Sequence, residues 1–262
     1  MKHTMKGTFA ILVLCTSLPV LAADYPEYPG LRPAYEQGWE NPDDDIRFEF
    51  GAAYWYSWGA QNVGPVGGGA ATFTERDNTS IADLHGRIDD LYTNTYLLGR
   101  AGIGLNTTGD YTLPPAVNGA IGRHSVIGYG SIDYGWLPAG SLEEGFAFGG
   151  LLGYQYWKEN PDTPGVATDM DIQALRLGLR ATGEFEKFDL QTELVAVPYA
   201  YVTGGLTNRA YGVMTETMLG FHPTENLILR AGGRAWYLEN TDGVTTASLA
   251  RYGLIAELAG RF

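Results

Sequence analysis

Residues 46–58 read Ile46-Arg47-Phe48-Glu49-Phe50-Gly51-Ala52-Ala53-Tyr54-Trp55-Tyr56-Ser57-Trp58. Every second residue from Ile46 is apolar: Ile46, Phe48, Phe50, Ala52, Tyr54, Tyr56 and Trp58. The residues between them include Arg47, Glu49, Trp55 and Ser57. Successive side chains of an extended chain point to opposite faces, so this stretch is a strand with one apolar face and one charge-bearing face. It is also long enough to cross a bilayer at a tilt.

The same alternation returns in nine further segments: 80–89, 95–105, 125–137, 145–159, 172–184, 188–202, 211–221, 227–238 and 247–262. In the sixth, Leu175, Leu177 and Leu179 alternate with Arg176, Gly178 and Arg180; in the ninth, Leu227, Leu229 and Tyr237 oppose Arg230, Arg234 and Trp236. The connections alternate as well. Those at 59–79, 106–124, 160–171, 203–210 and 239–246 are longer than those at 90–94, 138–144, 185–187 and 222–226. Short turns at one end and long loops at the other are the layout of an outer-membrane barrel with both chain ends in the periplasm. Aromatic residues gather at both ends of the apolar faces, Tyr54, Tyr56, Trp58 and Tyr154 toward the loops, Phe48, Tyr134, Trp136 and Phe146 toward the turns. Such girdles suit the two headgroup regions.

The expected fold is all-β, a transmembrane antiparallel up-and-down barrel of ten strands over 46–262. Its interior would hold Arg47, Glu49, Asp83, His85, Arg87, Arg100 and Asp133 from the first four segments. The later segments add Arg176, Arg180, Glu193, Glu216, Arg230 and Arg234, with Asp189, Arg251 and Glu257. In a dry sandwich core these charges would be ruinous; in a barrel of ten strands they can pair across the lumen. Mixed signs point to a cross-braced interior, and so small a barrel leaves no room for a wide pore.

Upstream, Lys2 and Lys6 precede the apolar run Phe9–Cys15 and the small-residue exit Leu21-Ala22-Ala23. That is a cleavable signal peptide over 1–23, followed by a Tyr- and Pro-rich periplasmic lead over 24–45. Cys15, the one cysteine among 262 residues, leaves with the leader, as do two of the seventeen Lys and Arg. No disulfide or thiol chemistry is expected. The net charge of −13 offers no basic footprint for nucleic acid.

Reactive groups are sparse. Asp83-Leu84-His85 sets a carboxylate and an imidazole on one strand face with Arg87 beyond them, a pair suited to base work. Its expected position deep in the barrel favours an ion-pair cluster instead. His124-Ser125 places its side chains on opposite faces, and His222, before Pro223, reads as a turn residue. Asp43-Asp44-Asp45 and the acids Asp162, Asp169 and Asp171 read as solvated surface. No metal site and no cofactor is expected.

The last segment, Tyr252-Gly253-Leu254-Ile255-Ala256-Glu257-Leu258-Ala259-Gly260-Arg261-Phe262, ends on Phe with Tyr252, Leu254 and Leu258 on its apolar face. It resembles the C-terminal signature of Gram-negative outer-membrane β-barrels, which implies the barrel-assembly machinery as a partner. The strand count, the stretch Gly150–Gln155 and the Glu184–Phe188 turn are similar to omptins, the outer-membrane proteases. That resemblance implies an Asp pair in the loop after strand three and an Asp-His pair in the loop after strand seven. Here the first offers only Asp110, and Thr203–Ala210 has neither Asp nor His. The resemblance therefore supports the fold and argues against proteolysis. The expected function is non-enzymatic: a monomeric, surface-exposed barrel in contact with outer-membrane lipid and lipopolysaccharide. The alternatives are a narrow pore for small solutes or ions, and a divergent omptin-like or lipid-modifying enzyme.

Overall fold

The computed structural model describes residues 46–262 apart from 68, 114–116, 123–124, 143–144, 164–168 and 205–206. The leader, the lead with Asp43-Asp44-Asp45, and His124 lie outside the described residues.

The described chain is all β. Its strands are β1 Ile46–Pro65, β2 Phe73–Asp90, β3 Thr95–Leu113, β4 Val117–Ala120, β5 Val126–Ser141 and β6 Phe146–Asn160. They continue as β7 Met170–Phe185, β8 Phe188–Thr203, β9 Arg209–Thr224, β10 Leu227–Thr241 and β11 Thr245–Arg261. Each of the ten long strands pairs antiparallel with its neighbours, and β1 pairs with both β2 and β11, so the sheet closes on itself. β4 is a four-residue addition on the outer end of β3. Closure removes the long free edges that an open sheet would present to lipid.

The period-2 pattern sets the wall. On β1, Phe50 and Tyr54 stand exposed while Glu49, Trp55 and Ser57 are buried. The exposed side of the whole barrel carries an apolar band, with Phe48, Phe146, Phe188 and Phe221 toward the turns and Tyr54, Tyr154, Tyr199 and Tyr237 toward the loops. Among the described residues no helix is long and apolar enough to cross a membrane.

Several strands outrun the segments expected for them. β1 continues to Pro65, β2 begins at Phe73, and β3 runs to Leu113, so much of 59–79 is a paired hairpin. Outward positions there are Asn62, Arg76 and Asn78, polar groups standing beyond the apolar band. A bulge opposite Ser80/Ile81 leaves Leu105 and Asn106 both exposed and reverses the inward phase of β3, after which Thr107 is buried. His222 is corrected too: it belongs to β9 and its side chain is largely buried.

Candidate functional site: the barrel interior

The interior is a stack of charged and aromatic layers, one rung per inward pair. Near the turns, Arg230 on β10 reaches three acids. It donates to both oxygens of Glu49 (2.6 and 2.9 Å), to Glu257 (2.8 Å) and to Asp189 (3.0 Å). His85 lies between Glu49 and Glu257, each 3.2 Å from one ring nitrogen, and His222 reaches Asp189 at 2.7 Å. Below them Arg47 and Arg87 converge on Asp89, at 3.0 and 2.6 Å, and Arg261 bridges Glu49 and Glu184.

In the middle, Arg234 sits between Glu216 (2.5 Å) and Asp83 (2.8 Å), with the Tyr129 hydroxyl in hydrogen bonds to Arg234 and Asp83. Arg100 joins Glu193 (3.0 Å) to Glu216 (2.9 Å). Arg176 donates to Asp133 (2.8 Å), Gln155 (2.8 Å) and Glu193 (3.2 Å); Arg180 approaches Glu193 at 3.4 Å and lies over the Tyr96 ring. Gly102 makes room for this layer: a Cβ there would come within 2.3 Å of the Tyr129 ring. Toward the loops, Trp55, Trp157, Trp236 and Tyr129 pack against one another, with Trp157 and Tyr129 stacked at 5.1 Å. Beyond them Arg251, fully buried, holds Asp77 (2.8 Å), Glu159 and Ser57 (3.0 Å).

The sixteen charged residues named above for the interior lie on the inner face of the wall, and each has an ionic partner within 4.0 Å. Asp83 and His85 share a strand face but have separate partners, so they do not act as a carboxylate-imidazole pair. Ligand atoms of Glu49, His85 and Glu257 lie within 4.8 Å of one another, a spacing that could suit a metal. Arg230 contacts both acids and Arg261 contacts Glu49, so fixed positive charge already stands where an ion would sit. Tyr252, Leu254, Leu258 and Phe262 all face outward. Asp110 faces outward on the β3 extension, opposite Arg76.

Sequence reasoning missed Glu75, Asp77, Asp89, Glu159 and His222 as interior groups. Glu75 and Asp77 stood in an expected loop, although they continue the inward phase of Asp83 and His85. Glu75 lies beyond the apolar band, and burial, then the neighbouring Glu159 and Asp77 carboxylates, push its carboxyl up to about 8.

The layers leave little space. A cavity of about 30 Å³ lies among Arg100, Tyr129, Trp157, Arg176 and Glu193, and one of about 20 Å³ among Glu49, His85, Arg180 and Arg230. Each is large enough for about one or two waters and no larger ligand.

No protein-family model matches the chain, and no curated protein matches it. Among solved structures it is similar to the outer membrane protease OmpT from Escherichia coli, at 11% identity and a TM-score of 0.56, over 84% of this chain and 97% of that one. It also aligns with the outer membrane protein OprG from Pseudomonas aeruginosa at 12% identity and a TM-score of 0.34, over 83% and 95% of the two chains. At 11% identity the first likeness is one of fold alone: together with the closed ring it shows that this chain has the fold of a ten-strand outer-membrane barrel, similar to that of the omptins.

Proposed function

We propose that the protein is a sealed outer-membrane barrel with a structural or surface-contact role, neither an enzyme nor a pore. The observation that carries this reading is the interior, where salt-bridged layers and the tryptophan cluster stack along the lumen and the cavities among the described residues of these layers are about 30 and 20 Å³. A conducting path would need water to run continuously past Arg230, Arg100 and Arg251, each locked between acids. Separate partners for Asp83 and His85 argue against the hydrolytic alternative, and fold likeness to a protease does not carry activity with it.

Refolded barrel in planar bilayers is the test. Folding is checked first by heat-dependent gel mobility, and the expected trace is silent. Steady discrete openings, altered by Arg230→Ala or Arg234→Ala, would replace this reading with the narrow pore.

The reading places the protein in a Gram-negative outer membrane after export by the signal peptide, as a monomer in contact with lipid and lipopolysaccharide. The assembly machinery would read the outward residues Tyr252, Leu254, Leu258 and Phe262. Phe262 is 73% exposed, so its side chain adds little packing to the folded barrel. Phe262→Ser is therefore expected to lower the amount assembled in cells several-fold while leaving detergent refolding nearly unchanged. Equal assembly of the two proteins would remove the recognition role.

A further inference from the structure

The outer end of the interior sets three carboxyl groups around one guanidinium. Glu75 and Asp77 come from β2 and Glu159 from β6; they are 3%, 5% and 2% exposed, and Arg251 of β11 is fully buried. Arg251 gives its two Nη atoms to Asp77 and Glu159. Those two acids have further donors, Thr79 to Asp77 and the Trp157 indole to Glu159, each at 2.6 Å. Glu75 stands outside this arrangement. Its Oε2 is buried without a hydrogen bond, and so is Arg251 Nε, so the two do not meet. Directly across the β1–β2 ladder, Gln61 is 6% exposed and its Oε1 is likewise buried without a donor. Tyr111 of β3 is the neighbour on the other side, and the charges that act on Glu75 are those of Glu159, Asp77 and Arg251.

Two facing acceptors with no donor between them are short of one hydrogen atom. An ionised Glu75 supplies none, and it sets a third buried negative charge against a single positive one. A proton on Oε2 answers both needs: the carboxyl donates to Gln61 Oε1, and the surplus charge is gone. We propose that Glu75 is a carboxylic acid in the folded barrel at neutral pH, hydrogen-bonded to Gln61, and that this bond is a proton-operated latch between β1 and β2 at the outer end of the wall. Loss of the proton turns a carboxylate against a carbonyl oxygen, with Asp77 and Glu159 repelling it, and the ends of both strands open more readily. The latch lies beyond the apolar band, beside the polar outward residues Asn62 and Arg76, so it answers to the acidity of the external medium. Burial, then Glu159 and Asp77, hold the folded carboxyl at about 8, above its ordinary value. The stability it contributes is therefore whole below the ordinary glutamate value and is lost as pH rises toward about 8.

Amide hydrogen exchange of the refolded barrel reads the latch locally. After correction for the intrinsic pH dependence of exchange, opening at Gln61–Val63 and Thr74–Asp77 is expected to rise about ten-fold per pH unit from about pH 6 to 8, then level off. Glu75→Gln matches the protonated acid in shape and charge, so it should refold as the parent does, and its amide donates to Gln61 at every pH. These amides then stay protected without the rise. Asp171→Asn removes a half-exposed acid of the outer face and keeps the parent's dependence. Infrared difference spectra are the second readout: the parent has the carbonyl band of a buried carboxylic acid at about pH 7, fading above about pH 8, and Glu75→Gln loses it. No band lost in Glu75→Gln would overturn the proposal, leaving Glu75 ionised and the Gln61 amide turned to donate to it. An equal rise of exchange with pH in parent and Glu75→Gln would overturn it as well, assigning the pH dependence to another group.

Discussion

Arg230→Ala is expected to lower the stability of the refolded barrel by about 3–5 kcal/mol, the usual cost of removing one partner from a buried ionic group. The size follows from what the guanidinium holds together. It contacts Glu49, Glu257 and Asp189, from β1, β11 and β8, and its own side chain is 2% exposed. Without it three carboxylates share His85, His222 and Arg261, all near the turn end. Urea unfolding in lipid vesicles measures the change, with Arg209→Ala, an exposed site, as reference. Arg230→Met combined with Glu49→Gln should recover much of the loss, since one cation and one anion leave together. A shift for Arg230→Ala within about 0.5 kcal/mol, as for ordinary surface changes, would mean that water has entered this layer and screens the acids.

The second large effect lies on the opposite side of the wall. Leu254 faces outward on β11, between Tyr56 of β1 and Gly233 of β10, and is 65% exposed. Leu254→Arg therefore removes little packing, and in detergent-free bilayers it should cost about 2–4 kcal/mol, the price of a cation near the midplane. The same replacement at Ser248, three outward positions nearer the loops on the same strand, should cost about 0–1 kcal/mol. Both variants are compared by unfolding titration in vesicles. Equal penalties at the two positions would show that the apolar band is misplaced along the strands.

The barrel was legible wherever the two faces of a strand differ in chemistry. From Ile46 to Trp58 the outward residues are apolar and several inward ones charged, and the pattern can be read without neighbours. Beyond Trp58 the contrast disappears: Asn62 outward and Gln61 inward are equally polar, so the continuing strand looked like a loop. That loss concealed Glu75 and Asp77. His222 was hidden differently, because Pro223 next to it signals a turn while the backbone still follows the wall through Thr224. Which inward residues would be charged was open to reading; which of them pair was not. Arg251 meets Asp77 across 174 residues and Arg230 meets Glu49 across 181, partnerships set by strand tilt and ring closure.

The seam between β1 and β11 gives the barrel a strict order in time. Phe48 and Phe262 exchange backbone hydrogen bonds at 2.9 Å in both directions, so the first strand of the wall is completed by the last in chain order. The bonds of Arg230 and Arg261 to Glu49 and of Arg251 to Asp77 span this junction. Until β11 is in place, Asp77 lacks Arg251 and Glu49 lacks Arg261, so an unclosed wall would be short of positive charge on its first two strands. A folding chain of this design gains nothing from inserting its early strands alone. Closing the ring and completing the charge pairs across the seam are therefore one step, made when β11 meets β1.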